Sequence, residues 1–115
     1  MAIEDMFGDL HLIDIMAETK TGEVVLGLVC NGFIDGEPKT QTALLDKMEG
    51  YLNYTQSGEF QKRYSKWPII LRLIFTEKPD QLILDLLYRC QSWVNDYGAT
   101  LELTVAGKKM QFTHY

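Results

Sequence analysis

At 115 residues the chain has the length of one domain, enough to bury a core without disulfide or metal staples. Its composition, 46% hydrophobic and 23% charged, excludes a disordered or fibrous protein. The net charge of −5 argues against a nucleic-acid partner, which calls for clustered lysine and arginine.

That charge is unevenly spread. Residues 1–37 carry Glu4, Asp5, Asp9, Asp14, Glu18, Glu23, Asp35 and Glu37 against Lys20 alone, a net −7. Residues 38–115 hold eight acids and ten bases, a net +2. An acidic first third favours a basic partner. Met1–Leu10 lacks the basic start of a signal peptide. The apolar runs Pro68–Leu71 and Leu73–Phe75 are broken by Arg72 and are too short to span a bilayer. A cytosolic protein without membrane contact is expected. Cys30 and Cys90, each inside an apolar run, read as free buried cysteines acting as small hydrophobes.

From the N-terminus, Leu10 to Glu18 alternates in the manner of a strand, Thr19-Lys20-Thr21-Gly22 signals a turn, and Glu23–Asn31 reads as a second strand of a hairpin. Gly27 within it predicts a bulge or a close backbone approach. A loop follows through Asn31-Gly32 and Asp35-Gly36-Glu37-Pro38. The period then becomes helical from about Thr40 to Ser57. Leu44, Leu45, Met48, Tyr51, Leu52 and Thr55 lie on one face, and Asp46, Lys47, Glu49, Asn53 and Gln56 on the other. Ser57-Gly58 supplies the stop, and Gly50, at a cost in helix propensity, is read as permitting close packing.

A polar, basic stretch, Gln61–Lys66, precedes a central strand over Ile69–Thr76. Pro79 opens a second helix that runs to Tyr97 and is terminated by Gly98. Its inner face takes Ile83, Leu86, Leu87, Cys90, Trp93, Val94 and Tyr97. Leu101–Val105 and Met110–Thr113 form a closing hairpin around Gly107-Lys108. The predicted fold is α+β in the order ββαβαββ: a two-layer sandwich with a mixed, mostly antiparallel sheet and two helices on one face.

Reactive constellations are sparse. His11 and Asp14 are three residues apart, so on one strand they point oppositely and form no dyad without a bulge. Asp14, set among Leu12, Ile13 and Ile15, is expected to face solvent or tie off a neighbouring loop; if buried it needs hydrogen-bond partners. His114 lies beside the C-terminus. Two histidines and two cysteines make no metal-ligand spacing, and no phosphate-cradling glycine string or nucleophile elbow occurs. No catalytic residue, metal or cofactor is expected. Tyr51, Tyr54, Phe60, Arg63, Tyr64 and Trp67 concentrate the residue types that anchor interfaces, or else roof the core.

Asp14, the run Thr21-Gly22-Glu23-Val24-Val25-Leu26, the helical Leu44, Lys47, Tyr51 and Leu52, then Gly58-Glu59 before Tyr64, resemble the pattern of a small bacterial domain family of unknown function over about residues 12–87. The resemblance implies a fold and no activity. The functional expectation is a non-catalytic interaction protein whose acidic hairpin and following loop contact a basic protein. One concrete form is an immunity protein or antitoxin that neutralises a cationic toxin. Asp9, Glu18, Glu23, Asp35 and Glu37 would steer the encounter, with Tyr54, Tyr64 and Trp67 as anchors. The alternatives are a homodimeric accessory domain, and a small-molecule binder or enzyme with a pocket between helices and sheet.

Overall fold

Alternation along three strands decides the architecture. In β2 (Val24–Cys30), β3 (Ile69–Phe75) and β4 (Ala99–Val105) every second side chain enters one hydrophobic cluster: Val24, Leu26, Leu28 and Cys30, then Ile69, Leu71, Leu73 and Phe75, then Ala99, Leu101 and Leu103. The computed structural model describes residues 2–111; His114 and positions 112–113 of the expected last strand lie outside the described residues.

β1 (Ile15–Glu18) pairs antiparallel with β2, β2 pairs parallel with β3, β3 parallel with β4, and β4 antiparallel with β5 (Lys108–Met110). The sheet order is therefore β1-β2-β3-β4-β5. The expected α+β fold with a mixed sheet is present, but its two long central ladders are parallel, and only the short outer pairs are antiparallel. Both parallel crossovers advance in the same direction along the sheet. Right-handed connections then place their helices on the same face. Those helices are α2 (Pro38–Thr55) and α4 (Gln81–Asp96).

Two further helices, α1 (Ile3–Phe7) and α3 (Gly58–Tyr64), join that face through Met6, Phe7, Phe60 and Tyr64. Neither is expected from the sequence. Gly58 reads as the stop of α2, but the chain restarts at once: Ser57 Oγ accepts the Phe60 N–H at 3.2 Å and caps a new helix. Asp80 caps α4 in the same way, its carboxylate accepting the Leu82 N–H at 2.8 Å. Ala106 (φ 51°) and Gly107 (φ 83°) form the two-residue turn between β4 and β5, both in the left-handed region that a right-twisted hairpin favours.

The opposite face of the sheet carries no helix among the described residues. Ile15, Val25, Val29, Ile70 and Ile74 lie there, beside an Arg72–Glu102 ion pair of 2.8 Å. Gly27 sits among them in regular register, without a bulge. A Cβ at Gly27 would come within 3.0 Å of both Ile15 Cβ and Ile74 Cδ1, so the close approach is made by neighbouring side chains. Both cysteines are free and buried. No helix among the described residues is long and apolar enough to cross a membrane.

Candidate functional site

The strand expected from Leu10 begins only at Ile15, and Asp14 is the reason. Its Oδ2 accepts the Val29 N–H at 2.9 Å, taking the part that a β1 carbonyl would play further upstream. Its own N–H donates to the Tyr51 hydroxyl at 2.7 Å, and that hydroxyl donates to the Gly27 carbonyl at 2.9 Å. A side-chain knot thus replaces the ladder, and residues 8–14 are released to cross over α2 as a loop.

Lys47 closes the knot. It does not lie on the polar face of α2 as its neighbours Asp46 and Glu49 do: its side chain is 0% exposed. The Nζ donates to both Asp14 oxygens at 2.9 Å and to the Phe7 carbonyl at the end of α1. All three ammonium protons are used, and no buried side-chain N or O among the described residues lacks a partner. The spacing Leu44, Lys47, Tyr51 was the available signal, since i+3 and i+4 steps put Lys47 on the buried stripe. Burial pushes the Tyr51 phenol well above its ordinary range, so it stays a neutral donor.

The acids expected to form one docking surface are dispersed. Glu18 and Glu23 lie at the turn end of the hairpin, while Asp9, Asp35 and Glu37 lie beyond the other end of β2. Seven strand residues separate the two groups, about 23 Å. Most of these carboxylates also have local work. Glu18 pairs with Arg63 at 3.2 Å, and Glu23 accepts from the Thr19 and Thr21 hydroxyls. Asp9 accepts the His11 N–H at 2.8 Å. Asp35 accepts the Thr40 hydroxyl at 2.6 Å and the Glu37 N–H at 3.1 Å, ordering the entry to α2. Glu37 is the N-cap residue of that helix and makes no side-chain cap.

The aromatic set is a packed ladder, with centroids 5.5 Å apart for Tyr54–Phe60, 5.0 Å for Phe60–Tyr64 and 5.3 Å for Tyr64–Trp67. Tyr64, 4% exposed, belongs to the core and presents no anchor to a partner. Trp67 is half-buried against that core. Tyr54 borders a cleft.

Two adjoining clefts flank the 8–13 loop and share Leu10 and His11. One, about 640 Å³, is lined by Ile3, Glu4, Gly8 and Asp9; the other, about 320 Å³, by Leu12, Ile13, Asp46, Gly50, Tyr51 and Tyr54. Their floors are largely apolar, their charged groups are the carboxylates Glu4, Asp9 and Asp46, and no lysine or arginine lines either one among the described residues. Gly50 does not permit close packing. No atom stands within 4 Å of where its Cβ would be, so it leaves open space.

Among the described residues lining the two clefts there is no cysteine, serine or lysine. Both Asp14 oxygens accept from Lys47, and Oδ2 also accepts the Val29 N–H. Burial raises the Cys30 and Cys90 thiols, which keeps them protonated and inert. Among the described residues no three His, Cys, Asp or Glu side chains gather as metal ligands.

The model of a family described as "Family of unknown function (DUF6572)" matches residues 1–107. The chain belongs to this family. Neither curated proteins nor solved structures yield a match. Asp14, Lys47 and Tyr51, which carry the resemblance in the sequence, are the residues of the knot.

Replacing Lys47 by Met should lower the unfolding free energy by about 2–4 kcal/mol in urea denaturation, because a partly buried carboxylate loses its counter-charge. Asn at position 14 can still accept the Val29 N–H, so Asp14→Asn with Lys47→Met should cost at least about 1 kcal/mol less than the two single changes together. Additive losses would show that the pair is uncoupled. The Asp35 carboxyl is held below its ordinary range, first by the Thr40 hydroxyl. A lowered folded-state pKa contributes stability above the unfolded value, lost as pH falls through the folded one. Asp35→Asn should therefore destabilise at neutral pH, with the difference from wild type shrinking below about pH 4. A pH-independent difference would assign the effect to lost geometry alone.

Proposed function

We propose that the chain is a non-catalytic interaction domain for a basic protein, with an immunity protein or antitoxin facing a cationic toxin as the concrete case. The contact surface is the pair of clefts around the 8–13 loop, not the hairpin turn. The observation that carries this reading is the lining itself: apolar floors, the carboxylates Glu4, Asp9 and Asp46, and no lysine or arginine among the described residues. Such a surface attracts a cationic partner at long range and offers apolar area for short-range affinity. Lys47, the base nearest in sequence to Asp46, is consumed internally by Asp14.

The test is affinity capture from native lysate on wild type and on Glu4→Lys/Asp9→Lys, at low and high salt. Wild type should retain proteins of high isoelectric point, at least tenfold more weakly in high salt, and the double variant should lose them. Capture indifferent to salt or to the charge reversal, capture of acidic proteins only, or no capture overturns the proposal.

A second reading, a homodimeric accessory domain, is favoured by the helix-free face of the sheet. Its Ile15 is 43% exposed, beside Val29, Ile70 and Ile74. Parallel ladders are normally covered on both faces, so a second copy is a reasonable cover. Sedimentation equilibrium should then give a mass that rises toward the dimer with concentration and returns to the monomer in Ile15→Lys. A monomer at millimolar concentration rules the dimer out.

A further inference from the structure

We infer that the smaller cleft is a socket for one arginine side chain of the basic partner, an assignment that rests on the reading of this face as a protein-binding surface. Asp46, Gly50 and Tyr54 follow one another at i, i+4 and i+8 along α2, so an acid, a gap and an aromatic ring stand in line over about 12 Å of helix. Gly50 lies mid-helix, where glycine costs stability relative to alanine. No left-handed backbone calls for it and no neighbouring atom excludes a side chain. What the glycine does provide is a floor on which a guest chain can lie against the helix backbone.

The opposite wall is Leu10, Leu12 and Ile13, and Leu12 is 60% exposed. These side chains suit an aliphatic stem, and Tyr54 suits a planar cation stacked on its ring. Asp46 supplies the counter-charge. It is exposed, and among the described residues no base pairs with it: Lys47 is turned inward, and Arg89, across the groove between α2 and α4, makes no salt bridge with it. A guanidinium matches a carboxylate with two parallel hydrogen bonds and also stacks on aromatic rings, which an ammonium does less well.

The probe is the tripeptide Gly-Arg-Gly, blocked at both ends, titrated into the ¹⁵N-labelled protein with Gly-citrulline-Gly as its neutral match. The arginine peptide should shift the amides of Asp46, Gly50 and Tyr54 in a saturable way, and the citrulline peptide should bind at least tenfold more weakly. Asp46→Asn should weaken the arginine peptide about tenfold. Gly50→Leu, whose side chain has room, should fold normally and abolish the shifts. Equal binding of the two peptides, shifts centred elsewhere, or full binding to Gly50→Leu overturns the assignment. Because Glu4 and Asp9 lie outside this cleft, loss of partner capture in their double variant alongside failure of the peptide would leave the interaction reading intact and remove only the socket.

Discussion

One ammonium group organises the N-terminal third of this protein. Lys47 Nζ gathers the end of α1, the residue before β1 and the middle of α2 at a single point, and Asp14 passes the connection to β2 through the Val29 amide. A pair with one member fully buried adds little net stability over an apolar substitute, because desolvation of the ammonium offsets much of the Coulomb attraction. Its effect is directional. An apolar contact tolerates sliding, whereas three donors committed to three acceptors fix where the chain crosses the helix. The clefts are the space that remains beside that crossing.

The central layer was legible in the amino-acid order. β3 reads as central because apolar residues lie on both of its faces, and the stripe Leu44, Met48, Tyr51, Leu52 identifies α2 and its buried side. Both observed crossover helices and all five strands stand in the expected order. The errors share a cause: they fall where one side chain overrides a local pattern. Alternation continues upstream to Leu10, yet Asp14 ends the strand by offering Val29 a carboxylate. Gly58 signals a stop, yet Ser57 makes it a beginning. Lys47 carries a charge, yet its place on the stripe outweighs it.

The proposed interaction surface shows the same limit. Charge counted along the chain concentrates in residues 1–37, but a hairpin carries sequence neighbours to opposite ends of a sheet. Glu23 and Asp35 are separated in this way, while Asp46, from the part of the chain with net positive charge, lines the cleft that adjoins the one lined by Asp9. Which acids share a field is a property of topology. The local ties of Glu18, Glu23 and Asp35 could not be read from composition, because each depends on a hydroxyl or guanidinium placed by a turn or a helix.

The termination of β1 at Asp14 also bears on solubility. β2 is an uncharged run of aliphatic residues and a cysteine, Val24–Cys30, the kind of segment that seeds cross-β stacking when its margin is bare. Here the flanking strand is only four residues long, bounded by Asp14 and Glu18, and the far margin of the sheet is three residues containing Lys108 and Lys109. Short edge strands bounded by charged residues make poor templates for strand addition. The carboxylate that anchors the loop therefore also occupies the Val29 N–H on the part of β2's margin that β1 leaves without a strand partner.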